Sequence, residues 1–185
     1  VPGTATEGLD VEEGTDALTL PRMADEAGVT KPVIYDHFGT RNGLLTALYQ
    51  DFDARQTAVI DAALEAREPN LEGTARVIAS SYVECVLAQG REIPGVLAGI
   101  DGSPELEAVK RDYQQAFIEK CRKALAPFIG PKGILPSGFW AMLGAADALS
   151  HAAATGEITA DQAQAELCEI ILAMVGRSCH RTTHC

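Results

Sequence analysis

A short run of side chains between residues 30 and 41 carries the clearest chemistry in this sequence. If residues 31–38 form a helix that buries Ile34 and Phe38, five side chains share its outer surface: Lys31, Val33, Tyr35, Asp36 and His37. A helix that faces only solvent would carry glutamate, lysine and glutamine there. Apolar and cationic groups together instead suit thymine methyl groups and phosphate oxygens. The pattern predicts a DNA-binding surface.

A helix-turn-helix is the element predicted to position these side chains. Thr19 and Pro21 are typical of the first turn of a helix, and Gly28 is expected to end that helix because glycine adopts left-handed backbone angles easily. Val29 is expected to fill the corner between the helices, and Thr30 to cap the second helix. The first helix has an apolar stripe formed by Met23, Ala24 and Ala27.

Residues 18–48 resemble the DNA-binding motif of the tetracycline-repressor-like (TetR) transcription regulators. The resemblance rests on Leu18-Thr19, Met23-Ala24, Ala27-Gly28-Val29, Tyr35-Asp36-His37-Phe38, and Arg41 ahead of Leu44-Leu45. It implies that the second helix is a recognition helix that enters the major groove of DNA. A plain helical hairpin is the competing interpretation.

The resemblance also implies which residues contact DNA: Thr30, Lys31, Pro32, Val33, Tyr35, His37 and Arg41. Lys31 and Val33 lie where the family reads base edges, and Tyr35 and His37 lie where it grips the backbone. Arg41, at the start of the next helix, lies where a basic side chain meets phosphate.

The charge of the chain restricts how it can bind nucleic acid. The net charge of -11 argues against indiscriminate binding, since a strong negative field repels phosphate. Between residues 19 and 45, three cations are balanced by three anions, namely Arg22, Lys31 and Arg41 against Asp25, Glu26 and Asp36. The predicted binding region is therefore neutral, and the acidic residues lie elsewhere.

The rest of the chain predicts an all-α fold, with a helix-turn-helix head on a larger helical body. No alternating strand pattern occurs. The predicted domains are a DNA-binding head over residues 1–48, an effector-binding and dimerisation body over 49–178, and a tail over 179–185. Residues 1–13 contain one proline, two glycines and four acids, so a first helix there is expected to be incomplete or irregular. Helices are predicted at about 41–67, 71–89, 103–128, 137–155 and 159–176.

The last two predicted helices, joined by a turn at residues 156–158, resemble the pair through which the family dimerises. An ordinary core hairpin is the alternative. A two-fold homodimer would address half-sites about 34 Å apart, or a multiple of that, on double-stranded DNA. The resemblance thus implies a near-palindromic operator.

The middle helices, residues 71–155, resemble the family's effector domain, in which a small molecule releases the protein from DNA. The sequence does not specify that molecule, and no cofactor is expected. Candidate lining residues combine aromatic, sulfur and polar groups: Tyr82, Cys85, Tyr113, Phe117, Cys121, Trp140, Met142, Leu143, Asp147 and His151. Asp147 and His151 are four residues apart, and an ion pair between them is a structural alternative to ligand recognition.

Five cysteines without a C-x-x-C pair do not predict a disulfide framework, and reduced core thiols are expected at Cys85, Cys121 and Cys168. The tail holds four soft metal ligands in the sequence CHRTTHC, of which His180 and His184 have zinc-like spacing. Because a chain end lacks apolar cover, a frayed tail without metal is the preferred prediction.

Several classes of protein are excluded by missing patterns. No apolar run is long enough for a membrane span, and the acidic start lacks the pattern of a secretory signal, so a cytoplasmic protein is expected. No G-x-S-x-G, phosphate-binding glycine loop or H-E-x-x-H occurs, which disfavours an enzyme. The resemblance favours a DNA-binding regulator that acts as a repressor. The remaining rival is a DNA-silent helical module that binds a ligand or a protein.

Overall fold

The computed structural model describes residues 19–92, 104–131 and 133–180. Within these ranges the chain forms helices and no strand, which confirms the all-α prediction. The helices are α1 (Leu20–Glu26), α2 (Lys31–Phe38), α3 (Arg41–Ala66), α4 (Leu71–Glu92), α5 (Pro104–Leu125), α6 (Pro136–Ala154) and α7 (Ala160–His180), with a 3-10 turn at Ala126–Phe128. Over the same ranges, no helix is both long and apolar enough to cross a membrane.

The chain divides into two compact units. The first contains the described residues of 1–55 and 88–112, and the second contains those of 56–87 and 113–185. Helices α3, α4 and α5 contribute residues to both units. The predicted boundaries at residues 48 and 178 stay a prediction.

The second unit is built around an apolar core to which five helices contribute. In α7, Leu167, Ile171, Met174 and Val175 recur at helical spacing and are at most 4% exposed. They pack with buried residues of the other helices, among them Ile60, Ala79, Cys121, Phe139, Met142 and Leu143. This core holds α6 and α7 together as a hairpin.

The turn before α7 is a reciprocal capping box, as its sequence predicts. The Thr159 N–H donates to Gln162 Oε1 at 2.9 Å, and the Gln162 N–H donates to Thr159 Oγ1 at 3.1 Å. Gly156 has a φ of 80°, a left-handed angle that glycine adopts easily. The end of α6 and the start of α7 are therefore fixed by local chemistry.

Two predicted helix ends are wrong. The sequence predicts that Gly90 and Gly176 end α4 and α7, but α4 continues to Glu92 and α7 to His180. Neither glycine has a positive φ, so the helical backbone passes through both. In α7, buried Val175 and Ser178 hold the helix on either side of Gly176.

The sequence predicts a buried apolar stripe along α3 that is wrong at one of its six residues, namely Leu44, Leu45, Leu48, Phe52, Val59 and Ile60. Val59 is 58% exposed, whereas the adjacent Ile60 and the later Leu64 are 7% and 8% exposed. Val59 therefore lies outside the buried stripe, which Ile60 and Leu64, four residues apart, continue. The end of α5 also differs: the predicted single helix to residue 128 changes to a 3-10 turn after Leu125, where Pro127 lacks an N–H. The sequence also predicts a short element at residues 93–100 and a turn at Asp101-Gly102, and both lie outside the described residues.

Two buried serines differ in whether the hydroxyl group is hydrogen-bonded, so replacing each by alanine tests how that bond affects the stability of the core. The Ser178 hydroxyl donates to the Val175 carbonyl at 2.6 Å, whereas Ser150 Oγ is fully buried with no hydrogen-bond partner within the described ranges. We expect Ser178→Ala to lower the free energy of unfolding by about 0.5–1.5 kcal/mol. Ser150→Ala should raise it, by up to about 1–3 kcal/mol, because it removes an unsatisfied polar group. Urea denaturation of both variants measures this, and an equal destabilisation by both would contradict it.

The thiols differ in burial, which corrects the expectation of three core cysteines. Cys121 is 1% exposed, whereas Cys85 and Cys168 are only partly buried, and Cys179 is exposed. Burial raises the pKa of the Cys121 thiol to about 12. The pKa of Cys168 is also raised, first by burial and then by neighbouring Glu169.

Thiol alkylation should follow this order, since the thiolate is the reactive form. At pH 8 in the folded protein, iodoacetamide should modify Cys179 and leave Cys121 unmodified, as read by peptide mass spectrometry. In urea both should react at similar rates. Equal labelling of the two cysteines without urea would show that Cys121 is not held in the core.

Candidate DNA-binding site

The first helix of the predicted motif begins and ends as its sequence indicates. Thr19 Oγ1 accepts a hydrogen bond from the Arg22 N–H at 3.4 Å, and Pro21 lies in the first turn. At the other end, Gly28 has a φ of 65°, and its N–H donates a hydrogen bond to the Asp25 carbonyl at 3.3 Å. The Val29 N–H donates to the Ala24 carbonyl at 3.0 Å, which completes a Schellman motif. This turn fixes the direction in which the chain leaves α1.

The predicted packing at this turn is wrong in two places. Ala27 is exposed, and Val29 is 40% exposed and does not fill the corner. Both residues follow the last residue of α1, where the chain has already turned outward. The buried stripe of α1 consists of Leu20, Met23 and Ala24.

Thr30 occupies the N-cap position of α2, but its side chain makes no capping hydrogen bond. A capping hydroxyl bonds the N–H of the second or third helical residue, and Pro32, in the second position, has no N–H. The Thr30 carbonyl instead accepts from the Val33 N–H at 3.0 Å. The predicted side-chain cap is therefore wrong, and the exposed hydroxyl at the start of α2 has no capping role.

Helix α2 has one buried edge and a broad exposed face. Ile34 is 7% exposed and Phe38 is half-buried. Val33 and Tyr35 are 53% and 47% exposed. The three other outward residues, Lys31, Asp36 and His37, are also exposed. The structure thus brings the predicted outer residues onto one accessible helix, and their contacts with DNA stay a prediction.

The junction between α2 and α3 is fixed by residues outside the predicted site. Gly39 has a φ of 68°, and its N–H donates to the Tyr35 carbonyl at 2.8 Å. Thr40 Oγ1 then caps α3 by accepting from the Gly43 N–H at 3.1 Å. A Cβ on Gly43 would collide with the Phe38 carbonyl oxygen, so only glycine fits there. The spacing T-x-x-G at residues 40–43 is the sequence signal for this contact.

Residues 19–45 carry no net charge, because their three cations are balanced by three anions. The Arg22 guanidinium pairs with Glu26 at 3.3 Å, on α1. Lys31 lies exposed in the first turn of α2, and Arg41 is partly buried at the start of α3. DNA contact here would therefore depend on the shape and apolar groups of α2 as well as on charge.

The predicted effector residues all lie in the second unit, and some of them are in contact. The Tyr82 hydroxyl donates to Asp147, which joins α4 to α6, and the Tyr82 and Phe117 rings lie 4.9 Å apart. The Asp147–His151 ion pair, the structural alternative to ligand recognition, does not form between these two described residues. Asp147 bonds Tyr82 instead, because Tyr82 reaches across from α4 to the carboxylate.

The other effector candidates divide by burial. Cys121, Met142 and Leu143 belong to the packed core, at most 2% exposed. Trp140 is 45% exposed, and His151 is exposed as well. Cys85 and Tyr113 are partly buried. Their role in ligand binding stays a prediction.

No metal site is found in the part of the chain that the structure describes: within 19–92, 104–131 and 133–180, no three His, Cys, Asp or Glu residues are grouped so that they could hold an ion. The tail considered as a zinc site lies largely outside these ranges, since residues 181–185 are not described.

Comparison with known proteins adds a sequence match and a fold match. Residues 4–48 match the family model of the bacterial regulatory proteins of the tetR family. The fold is similar to that of a protein from Rhodococcus sp. assigned to the TetR-family transcriptional regulators, with 18% identity and a TM-score of 0.73 over 94% of this chain and 95% of that one.

Two further solved structures share the fold. A protein of unknown function from Rhodococcus sp. RHA1 has 23% identity and a TM-score of 0.72, over 95% of this chain and 94% of its own. The fatty acid degradation regulator FadR from Bacillus halodurans has 14% identity and a TM-score of 0.70, over 95% of this chain and 96% of its own. No curated protein matches the sequence significantly.

Proposed function

We propose that this chain, whose residues 4–48 match the tetR family of bacterial regulatory proteins, is a sequence-specific DNA-binding transcriptional regulator. The observation that carries the proposal is the exposure of Val33 and Tyr35, 53% and 47%, on a helix held between two glycine turns. Val33 and Tyr35 lie on either side of the outward face of α2, and a partner that covered this face would remove both apolar side chains from water. The major groove of DNA offers thymine methyl groups and a fitting width for one helix.

The proposed regulator is a homodimer that uses α6 and α7 as its interface. Support comes from the exposed face of α6, where Trp140 lies beside residues without bulky side chains: Ala141, Gly144 and Ala148. Such a face permits close approach of a second helix, and an exposed tryptophan is a common anchor of interfaces. Two copies of α2 related by a two-fold axis would bind a near-palindromic operator.

We also propose that the regulator is a cytoplasmic repressor that a small apolar or amphipathic molecule releases from DNA. The contacts that support an effector site are the Tyr82–Phe117 ring pair and the Tyr82–Asp147 hydrogen bond, which link three helices of the second unit. Aromatic surface with one or two polar groups is typical of small-molecule sites.

The neutral charge of residues 19–45 favours the rival proposal, a ligand-binding module that does not bind DNA.

Selection of bound duplexes from a random DNA library tests the proposal and identifies the operator in the same experiment. The full chain is expected to enrich a motif with two inverted half-sites about 10 base pairs, or a multiple of that, apart between their centres. Enrichment of one unpaired half-site would support DNA binding and contradict the dimer. Failure to enrich any motif, while the protein remains folded and binds small molecules, would favour the DNA-silent module.

A further inference from the structure

Asp36 occupies the centre of the outer face of α2. The buried edge of the helix is formed by Ile34 and Phe38, two residues before and two residues after Asp36. At about 100° per residue, a position two residues from each lies opposite that edge. Val33 precedes Asp36 by three residues, so it is the neighbour of Asp36 on the helix surface. Asp36 is exposed and forms no hydrogen bond or ion pair with other described side chains.

A carboxylate at this place is unfavourable beside phosphate and favourable only beside a hydrogen-bond donor. An ionised carboxylate accepts hydrogen bonds and cannot donate them. In the major groove the donors are the N4 amino group of cytosine and the N6 amino group of adenine. Adenine places its N7 acceptor next to that amino group, which repels the second carboxylate oxygen, whereas cytosine has a carbon at the corresponding position.

We propose that Asp36 is a specificity-determining residue that accepts a hydrogen bond from the N4 amino group of one cytosine in each half-site. The proposal rests on the proposed function, because it requires α2 to lie in the major groove. Val33 and Tyr35 would exclude water around the carboxylate once DNA covers them. Guanine or thymine at that position leaves the carboxylate desolvated without a donor, and adenine adds the repulsion of its N7 acceptor, so each is expected to weaken binding roughly 5- to 150-fold.

Parallel DNA selections with wild type, Asp36→Asn and Asp36→Ala test this assignment. The wild-type motif should contain one cytosine that Asp36→Ala no longer selects, while the other positions of the motif are retained. Asp36→Asn should shift the preference at that position to adenine, since an amide pairs with N6 and N7 together. Asp25→Asn is the matched control: it removes the same charge from an exposed position of α1 and should leave the motif unchanged.

The possible results separate this inference from the proposed function. Identical motifs for all four proteins, with uniformly tighter binding by the Asp36 variants, would show that Asp36 lies near phosphate and would overturn the inference alone. A wild-type protein that selects no motif would overturn the proposed function, and the inference with it. Circular dichroism of the variants should match wild type, because Asp36 makes no bond that supports the described fold.

Discussion

Replacing Lys31 and Tyr35 together by alanine is expected to weaken binding to the selected duplex by about 30-fold or more. Both side chains are exposed on α2, and each base or backbone contact of this kind contributes about 1–3 kcal/mol to binding. The two losses together give about 2–6 kcal/mol, equivalent to 30-fold or more. Fluorescence anisotropy with a labelled duplex measures the change.

The control for this double variant is an exposed apolar residue elsewhere. Val59→Ala removes a side chain that is 58% exposed on α3, outside the predicted DNA-binding residues. The DNA affinity of Val59→Ala should equal that of wild type. Wild type, Val59→Ala and the double variant should all unfold at the same urea concentration. Undiminished binding by the double variant would mean that α2 does not form the DNA-binding surface.

Replacing Gly144 by arginine is expected to convert the proposed dimer into a monomer without unfolding it. A Cβ at Gly144 would meet no atom within 4 Å, so the chain itself has room for a side chain there. Arginine also has a helix propensity better than that of glycine by about 0.5–1 kcal/mol. A second copy packed against the small face of α6 would not have that room. Sedimentation velocity at micromolar concentration should show a dimer for wild type and a monomer for the variant.

Gly90→Arg is the matched control for this substitution. Gly90 also lies inside a helix, is exposed and has no atom within 4 Å of an added Cβ. The control adds the same charge and volume on α4, so it should remain dimeric.

The Gly144 variant should also bind the two-half-site duplex more weakly, because its two copies no longer bind as one unit. A dimeric Gly144→Arg protein would place the interface on another surface.

The elements that were predictable from the sequence are those whose boundaries depend on neighbouring residues. Thr19, Gly28, Thr159 and Gln162 each act within three or four positions along the chain, and the structure has the hydrogen bonds that their spacing predicts. The inner and outer faces of α2 follow from helical periodicity in the same way.

The features that could not be predicted depend on three-dimensional packing. Val29 is apolar, and its exposure follows from the direction in which the chain leaves α1. The Tyr82–Asp147 hydrogen bond joins residues 65 positions apart, and no local pattern pairs them. Gly43 looks like a poor helix residue until the Phe38 carbonyl oxygen, which occupies the space of its absent Cβ, shows why glycine is required.

The residues of the candidate sites also divide into those that the sequence predicts and those that it does not. The outer residues of α2 were predictable as a group because periodicity decides which side chains face outward. Periodicity does not decide which of them reads a base, because that depends on how α2 lies in the groove. The effector candidates were less predictable, since one set of apolar residues supplies both core residues such as Leu143 and exposed ones such as Trp140.

The most direct test of the central claim is an anisotropy titration of the selected duplex with the full chain, in excess competitor DNA and over a series of salt concentrations. Binding to DNA through α2 predicts saturable binding that survives the competitor, weakens as salt rises, and is lost in the Lys31→Ala/Tyr35→Ala variant. Binding that the competitor abolishes, or that the double variant retains, would contradict the claim.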